Sequence, residues 1–256
     1  MPPAVTGRIF GRLRANPAGV KEVVFAYAAA LVLGSLAVAI VQGGAAGKGL
    51  GSIRSDLVDL AVLYVCYLAA AVVTYRKCGY GPRITRSGLQ EAFGVAIRPI
   101  DVPVGIVAGV LAQYVFVPVA SLPLLPFVPH LTNRLGGVAR SLTDGVSTPG
   151  LVVLGLFICL GSPLLEELFF RGVLLRGLAG LTGSRDVVRP KVAVLAALGT
   201  SVLFGLAHFE ALQLLGLVAA GFTFAALAAT TGRLGPGFIA HVTFNTLAFV
   251  SVTHAW

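Results

Sequence analysis

The chain has 256 residues, of which 57% are hydrophobic and only 11% are charged, and its mean hydropathy is +0.91. This composition excludes an ordinary soluble domain and predicts a membrane protein. The net charge of +9 would suggest nucleic-acid binding in a soluble chain. Here the basic residues lie between apolar segments, where they indicate orientation in the membrane, so we expect no nucleic-acid partner.

Apolar stretches of roughly 18 to 21 residues recur along the chain, and about 20 helical residues cross a bilayer core. The alternating pattern of a membrane β-barrel is absent. We therefore predict an all-α fold, a polytopic transmembrane helical bundle with about seven spans. The spans are predicted at residues 22–42, 57–75, 102–122, 150–170, 192–209, 212–230 and 237–255.

The predicted spans divide the chain into two parts. Residues 1–149 contain about three spans and their loops, and residues 150–256 contain about four spans. Clusters of Arg and Lys precede the first span and follow the second and fourth, which places all three clusters on one side of the membrane. By the positive-inside rule that side is cytoplasmic, so the N-terminus and the site-bearing loops are predicted there.

The fourth span contains charged residues, which are costly inside a membrane and are usually functional. Glu167 and Arg171 are four residues apart, so on a helix they are neighbours and we expect them to form an ion pair. Glu166 is rotated about 100° from Glu167. We expect Glu166 to face an internal cavity, where a carboxyl group suits general acid/base work. Pro163 should interrupt the helix just before the pair, by removing the hydrogen bond to the Cys159 carbonyl.

Two later spans contain further polar side chains. His208 lies near the end of the fifth span, and His241 and Asn245 lie four residues apart on one face of the last. Packing in lipid does not satisfy an imidazole and an amide. A simpler alternative is that Glu166, Glu167 and Arg171 form an interfacial charge cluster and His208 an interfacial histidine.

Convergence of these side chains from three spans would supply the components of amide hydrolysis. A carboxylate can activate water, a histidine can relay the proton, and His and Asn donors can stabilise an oxyanion. Two other classes of function stay open. A proton-coupled membrane transporter could use the same charges as a proton path, and a non-catalytic membrane scaffold or immunity protein would need no reaction at all.

Three motifs in this region resemble those of a known family. EELFFR at 166–171 matches EExxxR, FGLAH at 204–208 matches FxxxH, and HVTFN at 241–245 matches HxxxN. Together and in this order they resemble the CPBP intramembrane proteases, the CAAX prenyl endopeptidase and bacteriocin-processing (ABI) family. The resemblance covers residues 150 to 250. It implies an endopeptidase that acts on a membrane-associated peptide or protein, which could be a prenylated CaaX-type substrate or an unmodified one.

The resemblance also implies a role for each motif residue. Glu166 and His208 would activate the water, and Glu167 and Arg171 would support the site. His241 and Asn245 would stabilise the tetrahedral oxyanion. Two mechanisms are described for the family, one metal-dependent and one metal-free. Glu166, His208 and His241 could bind zinc as a three-ligand site with an open position for water, or they could work without a metal.

The predicted spans create one geometric difficulty. With straight helices, His208 and His241 would lie about 15 Å apart along the membrane normal, at about 1.5 Å per residue. A shifted or broken helix would have to bring them together. Glycines are the candidate positions for that irregularity: Gly199, Gly205, Gly235 and Gly237.

Overall fold

The computed structural model describes residues 52–137, 140, 143–180 and 188–253, and near the N-terminus residues 13, 15, 25, 27–29 and 32; for residues 52–60 it describes the backbone alone. The first predicted span, 22–42, therefore lies largely outside the described residues. The described residues contain helices and connecting turns and no strand.

The helices are numbered here in chain order. They are α1 (Ser52–Lys77), α2 (Arg86–Phe93), α3 (Asp101–Leu124), α4 (Leu131–Leu135), α5 (Thr148–Ala179), α6 (Pro190–Leu206), α7 (Leu214–Thr231) and α8 (Gly235–Thr253).

These helices confirm the predicted all-α fold. The second to seventh predicted spans correspond to α1, α3, α5, α6, α7 and α8. By length and composition α3, α5, α7 and α8 can each cross a membrane, and α6 is a shorter apolar helix. The protein is therefore an integral membrane protein with several spans. The division at residues 149 and 150 stays a prediction.

Helix boundaries follow local sequence signals. Pro190 lies in the first turn of α6, where its missing N–H costs nothing. Gly232 ends α7 with a φ of 71°, a left-handed conformation that glycine adopts without a steric penalty. The Thr85 side chain caps α2 by accepting a hydrogen bond from the Gly88 N–H at 3.1 Å.

Helices α3 and α8 run parallel and pack closely through glycines. A Cβ placed on Gly105 would lie 2.6 Å from the Ile239 Cβ, and one placed on Gly109 would overlap the Ala240 carbonyl oxygen. The two glycines are four residues apart and form one face of α3. Small residues at this spacing let two backbones approach in lipid, where packing rather than water drives helix association.

An ion pair fixes one end of this parallel pair. Arg233, between α7 and α8, donates from Nη2 to Asp101 Oδ1 at 2.5 Å and from Nε to Asp101 Oδ2 at 3.2 Å. Asp101 begins α3 and is buried. The start of α3 is thereby joined to the turn that precedes α8.

Aromatic rings join α1 to α5. Tyr67 stacks on Phe169 with ring centroids 4.3 Å apart, and Tyr64 contacts Phe157 with centroids 5.6 Å apart. All but Phe157 of these rings are almost completely buried. Such packing fixes both the distance and the rotation of α1 against the helix that contains the two adjacent glutamates.

Helix α5 is interrupted twice by π-helical turns, at Phe157–Gly161 and at Glu167–Leu174. In the first turn the Ser162 N–H donates to the Phe157 carbonyl, five residues back. Pro163 follows immediately and has no N–H to offer. Single π-helical turns of this kind occur frequently at functional sites.

The four glycines expected to break a helix do not do so. Helix α6 continues through Gly199 and Gly205, and α8 begins at Gly235 and continues through Gly237. That expectation is wrong. Interruptions occur instead in α5 and in α3, which has a π-helical turn at Ala112–Phe116. In α5 Pro163 removes a backbone donor, whereas a glycine keeps its N–H and can stay in the hydrogen-bonded ladder.

The contact between α3 and α8 gives a stability prediction. Gly109→Ala should lower the free energy of unfolding by about 1 to 3 kcal/mol, because the added methyl group overlaps the backbone of α8. Thermal unfolding of the detergent-solubilised protein measures the effect. Gly137→Ala is the matched control, since a Cβ there meets no atom within 4 Å. Equal melting temperatures for the two variants would contradict the close contact.

Candidate active site

The candidate site lies where the second π-helical turn of α5 meets α6, α7 and α8. Glu167 forms an ion pair with Arg171, with Oε1 and Nη1 2.9 Å apart, as predicted from their spacing. Both side chains are 1% exposed. The same Glu167 Oε1 lies 3.0 Å from His241 Nδ1 on α8. One carboxylate therefore holds a guanidinium on its own helix and an imidazole on another.

The Arg171 guanidinium contacts side chains or backbone of α5, α6 and α7. Its Nη2 donates to the Gly221 carbonyl at 2.9 Å. Its guanidinium carbon lies 4.7 Å from the ring centroid of Phe204 and 5.4 Å from that of Phe224. A guanidinium over aromatic faces gains a cation–π attraction, which is larger where water is excluded.

Glu166 has different surroundings from Glu167. Its side chain is 12% exposed, and its Oε2 lies 3.7 Å from His241 Nε2. Its Oε1 accepts a hydrogen bond from the Tyr64 hydroxyl at 3.3 Å. The two glutamates thus face opposite nitrogens of one imidazole, and only Glu167 has a guanidinium partner. Two adjacent carboxylates with different partners can have different roles.

Aromatic packing and Glu167 together fix the His241 ring. It stacks on Phe224 with centroids 4.7 Å apart and meets the edge of Phe204 at 5.6 Å. An ionised Glu167, paired with Arg171, can only accept a hydrogen bond, so Nδ1 of His241 carries a proton. In the neutral ring this leaves Nε2 as the basic nitrogen, facing Glu166.

His208 lies just beyond the end of α6 and is exposed. Its Nδ1 donates to the Phe204 carbonyl at 2.8 Å, so Nε2 is its basic nitrogen as well. Its ring centroid is 4.7 Å from that of Phe204, which also contacts His241. Phe204 thus links the two histidines. In the described part of the chain, no hydrogen bond or ion pair joins His208 to Glu166 or to His241.

Asn245 contacts the interrupted part of α5. Its Nδ2 donates to the Ile158 carbonyl at 2.9 Å. In a π-helical turn this carbonyl would accept from residue 163, which is proline and has no N–H. Asn245 therefore satisfies an acceptor that Pro163 leaves open. A carbonyl without a partner would be costly at membrane depth.

Glu166, His208 and His241, which could have bound zinc in one of the two mechanisms left open above, do not form a zinc site in this structure. Tetrahedral zinc needs its ligands at about 2.0–2.3 Å from one point. Among the residues that the structure describes, no group of at least three His, Cys, Asp or Glu side chains is arranged to hold a metal ion. His208 makes no polar contact with Glu166 or His241 in the described part of the chain. In this arrangement the three side chains do not fit a zinc ion.

A separate apolar groove of about 480 Å³ lies between α3 and α7. Phe116 of α3 and small or apolar side chains of α7 line it: Ala219, Phe222, Thr223, Ala226, Leu227 and Thr230. None of the six predicted site residues lines this groove, so it is not the cavity that we expected Glu166 to face.

Comparison with known proteins bears on the segment that contains these side chains. Residues 148–247 match the family model described as "Type II CAAX prenyl endopeptidase Rce1-like". The match includes all three motifs. Over these residues, 100 of the 256 in the chain, the protein is similar to the CPBP proteases.

One curated relative matches a shorter stretch. The "Putative membrane peptidase YdiL" of Bacillus subtilis (strain 168) is 35% identical over 88 residues, which are 34% of this chain and 32% of the relative. The chain thus matches about a third of that relative's length. No match was found among solved structures.

Two polar residues of the site were not identified from the sequence. The Tyr64 hydroxyl of α1 donates to Glu166 and also forms a short contact with the Ser162 hydroxyl of α5. The available signal was a tyrosine within an apolar span, because a buried phenol usually has a hydrogen-bond partner. Spacing along the chain could not indicate which partner it meets.

The buried ion pair gives a second prediction. Arg171→Ala should destabilise the protein by about 3 to 5 kcal/mol, because it leaves the Glu167 carboxylate buried without a cation. Thermal unfolding in detergent measures the loss. The double variant Arg171→Ala/Glu167→Gln removes the stranded charge and should recover part of it. If single and double variants unfold at the same temperature, the loss comes from packing and the ion pair has no such role.

Proposed function

We propose that this protein is an intramembrane endopeptidase that hydrolyses a peptide bond of a membrane-associated substrate, with Glu166 as the general base. The observation that supports the proposal is that the two glutamates at the His241 ring have different partners. Glu167 contacts Nδ1 of His241, and Arg171 neutralises its charge. Glu166 faces Nε2 of His241, has no guanidinium partner and is partly exposed. An adjacent carboxylate of this kind can accept a proton from water.

In the proposed reaction, a water molecule next to Glu166 attacks the substrate carbonyl carbon. The water oxygen forms a bond to that carbon while Glu166 takes one water proton. The C–N bond then breaks, and this proton moves to the leaving nitrogen, which gives a carboxylic acid and an amine. His208, the exposed member of the set, relays the proton at the substrate side.

The other site residues support this reaction in two ways. Glu167 and Arg171 hold His241 in one orientation and tautomer, with Nε2 toward the Glu166 carboxylate. The second N–H of the Asn245 amide donates a hydrogen bond to the developing oxyanion, and His241 does so from Nε2 in its protonated form. Donors fixed before the reaction stabilise a transition state without a cost of reorganisation. The Asn245 amide is held in place by its bond to Ile158.

The match to the CAAX prenyl endopeptidase family favours a protease over the carrier and scaffold alternatives. We propose a prenylated CaaX-type peptide as the first substrate to test, with an unmodified membrane peptide beside it. We also propose that the N-terminus and the site-bearing loops are cytoplasmic, from the distribution of Arg and Lys.

Replacement of the proposed base tests the function. Glu166→Gln should lower cleavage of membrane-peptide reporters by about a hundredfold or more, because the amide cannot accept the water proton. The variant should stay folded, since Glu166 neutralises no guanidinium. Glu91→Gln, at an exposed position on α2, is the control and should cleave like wild type. Wild-type turnover by Glu166→Gln would refute the assigned role, and wild type inactive on every reporter would refute the protease itself.

Metal dependence is tested separately. Because Glu166, His208 and His241 do not gather around one point, cleavage by the purified protein should persist after prolonged treatment with a zinc chelator. Metal content of the active preparation is measured alongside. Loss of cleavage on chelation, followed by recovery on adding zinc alone, would show that a metal-bound arrangement of these side chains is the active one.

A further inference from the structure

Tyr64 contacts the proposed base from outside the family-matched segment. It lies on α1, whereas the match begins at residue 148. The Tyr64 hydroxyl is 3.3 Å from Glu166 Oε1 and also contacts Ser162 Oγ. The Tyr64 side chain is 3% exposed. A buried phenol that meets the carboxylate proposed to activate water is placed to affect that carboxylate directly.

The three polar groups form a hydrogen-bond chain with one consistent direction. An ionised carboxylate only accepts, so the single phenolic proton of Tyr64 goes to Glu166. Ser162 then donates its own proton to the Tyr64 oxygen. Ser162 and Glu166 are four residues apart and therefore share one face of α5. That face is the one that α1 covers.

Packing holds the phenol in this position. The Tyr64 ring lies between Phe157 of the first π-helical turn and Tyr67, with centroid distances of 5.6 and 6.2 Å. Tyr67 is in turn stacked on Phe169. The hydroxyl is thereby fixed before any substrate binds, which is the condition under which a hydrogen bond can orient a reacting group.

We infer that Tyr64 is a positioning residue for Glu166. By holding Oε1, it turns Oε2 toward His241 Nε2 and the attacking water. The inference rests on the proposed function, and it adds that the active site extends beyond residues 148–247 to helix α1. Tyr64 could instead serve only to anchor α1 to α5, so the test has to separate catalysis from stability.

Removal of the hydroxyl alone provides this separation. Tyr64→Phe should lower kcat by about tenfold to a hundredfold, the effect of losing a hydrogen bond to a charged group, with KM changed less than about twofold. The control is Tyr75→Phe on the same helix. Tyr75 is equally buried, but its hydroxyl contacts Thr85 and the Arg83 carbonyl, so kcat should not change. Equal kcat values for Tyr64→Phe and Tyr75→Phe would overturn the inference.

A double-mutant cycle provides a readout that simple anchoring would not produce. Ser162→Ala should lower kcat in the wild-type background, because Tyr64 loses the donor that orients its hydroxyl. In the Tyr64→Phe background the same change should have little further effect. Additive losses of kcat would show that Ser162 and Tyr64 act independently and would overturn the proposed chain.

Infrared difference spectroscopy separates failure of this inference from failure of the proposed function. The carboxyl band that is absent in Glu166→Gln should shift in Tyr64→Phe and not in Tyr75→Phe. If wild type cleaves and the band does not shift in Tyr64→Phe, the protease proposal is supported and the positioning role of Tyr64 is overturned. If the band shifts but wild type cleaves no reporter, the contact exists, and both the protease proposal and the role of Tyr64 in it are overturned.

Discussion

The buried ion pair between Glu167 and Arg171 is the interaction on which the arrangement of the C-terminal helices depends. Neither charge can reach water, so each needs polar or aromatic partners from neighbouring helices. Arg171 takes a carbonyl from α7 and ring faces from α6 and α7, and Glu167 takes the His241 imidazole from α8. The pair that neutralises a costly charge also orients a candidate catalytic ring.

A second constraint is that every backbone acceptor at membrane depth needs a donor. Pro163 has no N–H, and in the π-helical turn of α5 this leaves the Ile158 carbonyl without a backbone donor. The Asn245 amide donates to that carbonyl instead. The HxxxN motif therefore has a structural part as well as a proposed catalytic one. His241 binds the charged cluster and Asn245 binds the interrupted backbone, one helical turn apart, so α8 is held in register with α5.

Much of this architecture was predictable because it depends on local properties. Continuous apolar length identified the spans, and a spacing of four residues identified the pairing of Glu167 with Arg171 and the common face of His241 and Asn245. The position of the helix interruption near Pro163 also followed from the missing N–H. The prediction that glycines interrupt the helices was wrong, because a glycine can either break a helix or let a neighbouring helix pack closely against it. Gly105 and Gly109 of α3 do the latter against α8.

The sequence by itself determined the helical class, the positions of most spans and the set of polar side chains that a membrane interior would not tolerate without partners. Those are consequences of composition and helical period. Only the tertiary structure decided which partner each side chain meets: Phe204 between the two histidines, Ile158 for Asn245, and Tyr64 for Glu166. These contacts join residues as many as 102 positions apart. They depend on how helices rotate and shift against one another, which packing sets and periodicity does not encode.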